Sequence, residues 1–286
     1  MQKTTSLTIN NKFMKTTLLS IPKDEKIKKH SAFFWALSDT WILVGRSFKH
    51  IFKNPDQLLS LAIQPIMFML LFRYVFGGAI DTGGTSYVNF LVAGILIQTA
   101  AFGATTTSLS VATDVKRGIV DRLKSLPIVS SAVMTGHVTA DLFRNVVSSA
   151  IMIGVALLIG FRPTASVLEW FYILGILIIF TLAFSWISAV LGLIAKSVEA
   201  VQWFGFVIVF PLTFASAAFV PTDSMPKYLR IFAENQPVTH VIEAMRSYMV
   251  GTPMGNHAWA SVIWCVALVT IFMPLATYLF RKKVSK

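Results

Sequence analysis

Six stretches of apolar residues constrain this chain more than any other feature. They fall at Leu58–Phe76, Val88–Val111, Val146–Phe161, Trp170–Ile194, Val201–Val220 and Ala258–Phe280. Crossing a ~30 Å hydrocarbon layer takes about 20 helical residues, and the runs are near that length. The third is the shortest; a start near Val138 would bring Asp141 and Arg144 into its membrane-edge end. Backbone polar groups in hydrocarbon must be satisfied within the segment, which makes each run a helix. The expected fold is all-α, a polytopic membrane protein with six transmembrane helices over residues 55–286. The composition agrees, with 55 % hydrophobic and 13 % charged residues. A soluble chain carries about 25 % charged residues and needs them to cover its exterior. Pro65, Pro211 and Pro274 lie within the runs and read as tolerated kinks.

The polar segments fix the rest of the organisation. Residues 1–30 are Lys-rich and hold no apolar stretch long enough for a signal peptide. They read as a basic cytoplasmic tail, disordered and able to touch anionic headgroups. Over 31–54, Phe34, Leu37, Trp41, Val44, Phe48 and Ile51 recur at three- and four-residue spacing, with Arg46, Lys49 and Lys53 off that stripe. This pattern predicts an amphipathic helix lying in the membrane interface; a surface helix packed on a core is the plainer reading. On a six-span count, nineteen Lys and Arg fall on the side of both termini and five on the other. That bias places both termini in the cytoplasm. It also accounts for the formal charge of +12 without a nucleic-acid partner.

Several chemistries are excluded by what the runs lack. Ionisable groups are nearly absent from them; Arg73 is the exception and can snorkel to the outer interface. Proton-coupled carriers place Asp, Glu or His in their spans, so a proton relay is not expected. The sequence has no H-E-x-x-H, no G-x-S-x-G and no phosphate-binding G-x-x-x-x-G-K-[ST] motif. The histidines (His30, His50, His137, His240 and His257) have no metal-ligand spacing. The lone Cys265 can form no intrachain disulfide. No catalytic residue, cofactor site or metal site is expected, and energy for transport must come from a partner.

Two polar segments look like more than connectors. In the loop 114–127, Val115, Ile119, Leu123 and Leu126 form a narrow stripe among Lys116, Arg117, Asp121, Arg122 and Lys124. Asp114 suits an N-cap, and Pro127 ends the helix. A short charged helix there can dock into a groove on a soluble partner; a solvated connector is the alternative. In the loop 221–257, Pro226 suits the first turn of a helix running to about Glu234. A second helix follows, with Val238, Val241, Ile242, Met245, Tyr248 and Met249 on one stripe and Gly251 closing it. This pair is expected outside, as a re-entrant hairpin or an outer cap.

At these segments the sequence resembles the membrane subunits of type-2 ABC exporters, of the daunorubicin-resistance permease type. The first carries Asp114, Gly118-Ile119, Asp121-Arg122, Ser125-Leu126-Pro127, Ala132-Val133, Gly136, Asp141 and Arg144. The second carries Phe219-Val220-Pro221, Met225-Pro226, Leu229, Gln236-Pro237-Val238-Thr239, Arg246 and Gly251. The resemblance runs from about residue 31 to the end. It implies a homodimer or heterodimer of permeases, each with a separate ABC ATPase subunit that binds the ATP. It makes 114–127 the ATPase-coupling helix, with Asp114, Lys116, Arg117, Gly118, Asp121, Arg122, Leu123, Leu126 and Pro127 as its contact residues. It makes Trp41, Arg46, Lys49 and Lys53 part of the supporting interfacial helix. Pro221, Met225, Pro226, Pro237, Arg246 and Gly251 then belong to an outer gate.

The expected function is the permease subunit of a bacterial cytoplasmic-membrane exporter for a hydrophobic or amphipathic compound. The expected path is lined by apolar side chains without fixed charges. The rivals are a secondary transporter, which needs intramembrane ion sites, and a membrane-embedded lipid-modifying enzyme, which needs a nucleophile or metal cluster.

Overall fold

One helix organises the protein. In the computed structural model, which describes residues 55–80, 82, 84–116, 130–195 and 197–284, the Tyr87–Lys116 helix is mostly apolar and has no separate polar face. Such a helix belongs in an interior, and 83 % of its most apolar stretch is buried. Around it stand the helices that we number in chain order. α1 is Pro55–Leu71, and its last turn continues into a wide π-type turn, Phe72–Phe76. α2 is the central helix. α3 is Ser130–Ile159 and α4 is Val167–Ile194. α5, Val198–Phe204, passes through a second wide turn, Gly205–Val209, into α6, Phe210–Phe214. α7 is Lys227–Asn235, α8 is Pro237–Val250 and α9 is His257–Val284.

The expectation of six spans is corrected. Among the described residues, four helices are long and apolar enough to cross a membrane: Tyr87–Lys116, Met134–Ile159, Val167–Ile194 and His257–Lys283. The runs expected at 58–76 and 201–220 form shorter apolar helices; the first ends in a wide turn and the second is interrupted by one. At that interruption the cause is local. Pro211 cannot donate to the carbonyl four residues back, and its ring crowds that carbonyl, so the turn before it opens. Pro65 and Pro274 lie within helices that continue past them.

The expected re-entrant pair is also corrected. α8 packs among α2, α4 and α9, so its apolar stripe is a core surface. α7 is amphipathic and mostly exposed; it meets the Thr222–Ser224 turn and α8. The helices themselves start and stop as their residues dictate. Pro226 precedes α7 and Pro237 opens α8. Gly251 ends α8 with φ +73, the left-handed conformation that glycine takes without penalty. Ser166 and Glu169 form a reciprocal capping box at the start of α4. Ser197 caps α5 by accepting from the Ala200 N–H at 3.1 Å.

Close approach of backbones builds the interior. A Cβ on Gly94 would lie 2.1 Å from the Ala218 carbonyl oxygen, and one on Gly192 would lie 2.5 Å from that of Ser108. α2 therefore touches both the 215–219 turn and α4 through bare backbone. Phe72 stacks on Phe219 at 4.4 Å, Phe214 lies 4.6 Å from Phe219, and the Tyr87 hydroxyl donates to the Phe219 carbonyl at 3.0 Å. These contacts gather one end of the bundle. Thr164 N–H donates to Met249 there, and Arg162 N–H to Asn89 Oδ1. At the other end, Val115, Lys116, Ser197, Val198 and Lys283 line a cleft of about 370 Å³. α9 rims the bundle, with only 11 % of its most apolar stretch buried.

Candidate functional site

Hydroxyl-bearing residues are frequent on α2, and the helix absorbs most of them. Thr99 Oγ1 donates to Ile95 O at 2.7 Å, Thr105 Oγ1 to Phe102 O at 2.6 Å and Ser108 Oγ to Thr105 O at 2.7 Å. Back-bonding of this kind lets hydroxyls sit in an apolar helix without stranding a donor. The exceptions point to function.

The first exception is an ionic seam between α2, α3 and α4. Asp141 on α3 is 1 % exposed. Its Oδ1 accepts from Thr106 Oγ1 at 2.9 Å, its Oδ2 accepts from Ser185 Oγ, and Arg144 Nη1 lies 3.6 Å away. Arg144 also donates to Thr106 Oγ1. A buried carboxylate is tolerable only when paired and hydrogen-bonded, and both conditions hold. Asp141 and Arg144 fall seven and ten residues into the membrane-length stretch that starts at Met134.

The second exception is a cavity of about 230 Å³ between α1, α2, α3 and the 205–209 turn. Its lining is mixed. Phe68, Phe102 and Phe206 supply ring faces, and Gln98, Asn145 and Thr106 supply polar atoms. Gln98 and Asn145 are each 3 % exposed, yet Gln98 Nε2 and Asn145 Nδ2 have no hydrogen-bond partner among the described residues. A stranded buried polar atom costs about 1–3 kcal/mol. Asn145 reaches this position because residue 103 is glycine; a Cβ there would lie 1.9 Å from Asn145 Oδ1. Sequence reasoning missed Gln98, Asn145 and Ser185. The available signal was an uncharged polar residue inside an apolar run.

The outer-loop motif residues divide. Arg246 is 3 % exposed and fully used. Its Nε donates to Phe90 O at 3.1 Å and its Nη2 to Ala217 O at 2.6 Å, its Nη1 pairs with Glu243, and its guanidinium carbon lies 3.6 Å from the Phe90 ring centre. Burial lowers its pKa, and the Glu243 carboxylate opposes that shift. Arg246 therefore ties α8 to α2 and to the 215–219 turn. Pro221, Met225 and Pro226 flank the Thr222–Ser224 turn, where Arg230 pairs with Asp223 at 2.6 Å and Glu234 at 2.7 Å. Gln236 donates to the Ala215 carbonyl. His240 Nδ1 lies 3.0 Å from His257 Nδ1, and its pKa is lowered by burial and then by the neighbouring His257.

Of the 114–127 segment, the structure describes only the start. Asp114 and Lys116 lie in the last turn of α2, so Asp114 is not an N-cap; its Oδ2 is 2.9 Å from His137 Nε2. Arg117, Gly118, Asp121, Arg122, Leu123, Leu126 and Pro127 lie outside the described residues, as do Trp41, Arg46, Lys49 and Lys53 of the expected interfacial helix and the tail 1–30.

A multi-pass helical bundle with a mixed polar and aromatic cavity between its helices has the architecture of a membrane permease. The chain belongs to the ABC-2 type transporter family, whose sequence profile matches residues 38–250. It is 33 % identical over 240 residues to the daunorubicin resistance ABC transporter permease protein DrrB1 of Streptomyces coeruleorubidus, covering 83 % of each chain. It is 29 % identical over 286 residues to the putative transport permease ycf38 of Cyanophora paradoxa, covering 96 % of this chain and 97 % of that one. It is 24 % identical over 225 residues to the probable doxorubicin resistance permease DrrC of Mycobacterium tuberculosis, covering 77 % and 80 %. Family membership makes this chain a non-catalytic permease component and not an enzyme. It also implies an ABC ATPase partner and pairing with a like permease.

Proposed function

We propose that this chain is the membrane subunit of an ATP-driven exporter in a bacterial cytoplasmic membrane. Its cargo is a hydrophobic or amphipathic compound, and relatives named for daunorubicin and doxorubicin resistance favour a drug-like one. ATP is hydrolysed on a separate subunit docked at 114–127, and both termini are cytoplasmic. The single observation that carries the reading is the cavity of mixed ring faces and amide groups within the bundle, the kind of lining that accepts an amphipathic solute. Lys116 and Lys283 at one end of the bundle accord with a cytoplasmic face there.

Among the described residues, Asp141 is the one buried carboxylate that a proton-coupled carrier could use. It is held by Thr106, Ser185 and Arg144, an arrangement that favours a structural role. The test is co-expression with the adjacent ATPase subunit. The complex should co-purify, and its hydrolysis should rise on adding cargo. Arg122→Ala should leave membrane insertion intact but weaken recovery of the ATPase or uncouple it, because truncating one partner of a buried charged pair costs about 2–5 kcal/mol. ATP turnover by the permease chain alone, scaling with its purity, would overturn the reading.

A further inference from the structure

We propose that the cavity between α1, α2 and α3 is a cargo subsite for part of a neutral polycyclic compound, whose carbonyl or ether oxygens accept hydrogen bonds from Gln98 Nε2 and Asn145 Nδ2. The proposal deepens the permease reading and rests on it for the word cargo; the binding itself does not depend on it.

Gln98 and Asn145 both line this one cavity, and each carries a buried carboxamide NH₂ that lacks a partner among the described residues. An NH₂ group can only donate, so the ligand must present acceptors. The size of the space comes next. A volume of about 230 Å³ is several times the ~30 Å³ share of one water. It falls short of the ~300–1,000 Å³ that enclose a whole drug-sized molecule. The cavity therefore takes one end of a ligand. The remainder lies outside, beside Gln64 and Phe206, lining residues that are themselves exposed.

The ring faces set the body of the ligand. Phe68, Phe102 and Phe206 bound the space, and Phe102 and Phe206 meet edge to face at 6.1 Å. Flat aromatic or polycyclic groups pack well against such faces. Charge sets the last constraint. Among the described residues, no Asp, Glu, Lys or Arg lines the cavity. The nearby Asp141 is occupied by Thr106, Ser185 and Arg144. An ion entering here would lose its hydration without a counter-charge, so the end that enters is neutral.

Binding to the full-length purified chain in lipid nanodiscs tests this. Nile red is a neutral polycycle with a ring carbonyl; pyrene is a polycycle with no oxygen. With empty discs subtracted, the wild-type chain should bind Nile red saturably. Gln98→Leu and Asn145→Ala should each weaken Nile red about five- to tenfold, the equivalent of one net hydrogen bond. Pyrene binding should not weaken in either. Thermal stability should stay level or rise in Gln98→Leu, because that change removes an unpartnered polar atom; a purely structural amide would lower it. Equal Nile red affinity across wild type and both variants, or no saturable Nile red binding, overturns the subsite. Recovery of the ATPase subunit separates the two claims. A chain that recovers it but does not discriminate the probes keeps the permease reading and loses the subsite. A chain that discriminates them but recovers no ATPase does the reverse.

Discussion

Arg246 offers the sharpest test of how the bundle is fastened. Replacing it with Met keeps most of the side-chain volume and removes the guanidinium. Four attachments go at once: the donations to Phe90 O and Ala217 O, the pairing with Glu243, and the stacking on the Phe90 ring. A hydrogen bond from a charged donor is worth about 1.5–3 kcal/mol, and a desolvated cation over a ring about 2 kcal/mol. These contributions share one group and do not add. Removing one member of a buried pair costs about 3–5 kcal/mol in total. The Glu243 side chain is 26 % exposed, so its stranded charge is partly hydrated and the loss should lie near 4 kcal/mol. For a chain of this size that is a fall of roughly 10 °C in midpoint. Heating detergent-solubilised protein and measuring the fraction that still elutes as folded monomer or dimer gives the number. Arg246→Lys should fall between wild type and Met, since it keeps the charge and loses the fork. A drop of under ~3 °C for Arg246→Met would refute the fastening role.

Three further outcomes are expected. Gly94→Ala should cost about 1–3 kcal/mol, the usual penalty of overpacking, because its Cβ would meet the Ala218 carbonyl at 2.1 Å; Gly154→Ala, with open space around it, should be neutral or mildly stabilising in the same heating assay. The His240 pKa is depressed by burial and by His257, so the folded state resists protonation more than the unfolded one: stability should hold above the ordinary His range and decline as pH falls through it towards the lowered value. His240→Gln should flatten that decline, and parallel pH profiles would remove His240 as its cause. In a Cys265→Ala background, an impermeant thiol reagent on intact cells should label a cysteine placed at Ser224 and spare one at Ser125; the opposite pattern would reverse the assigned orientation.

How much of this was legible in the sequence depends on the kind of signal. Turn chemistry in the 221–257 loop was read directly: Pro226 and Gly251 bound the helices they were expected to bound, whereas Asp114, expected as an N-cap, lies in the last turn of α2. Those signals are local, fixed by φ and by one missing N–H. Span count was misjudged because a hydropathy run reports apolarity and not helix continuity. The run 201–220 carries no charged residue, but the Pro211 ring opens the turn before it. The role of α8 was misjudged for a related reason. A 14-residue helix with one apolar stripe fits a cap as well as a core, and only its neighbours α2, α4 and α9 settle which.

The cavity was missed for a different physical reason. A charge in an apolar run is so costly that it draws attention, and reading the spans for ionisable groups finds Arg73, Asp141 and Arg144. A carboxamide costs far less, so a chain can bury Gln98 and Asn145 in hydrocarbon-length helices without disturbing the hydropathy of either run. The same modest cost suits them to transient binding. A full charge in that position would need a permanent partner, as Asp141 has in Arg144, Thr106 and Ser185. Such a group, once paired, has little left to offer a ligand. An unpartnered amide keeps a donor free at a penalty of about 1–3 kcal/mol. A ligand oxygen can relieve that penalty on entering, and the penalty returns when the ligand leaves. Gly103 shows that the placement depends on the fold, since any other residue there would push the Asn145 amide aside.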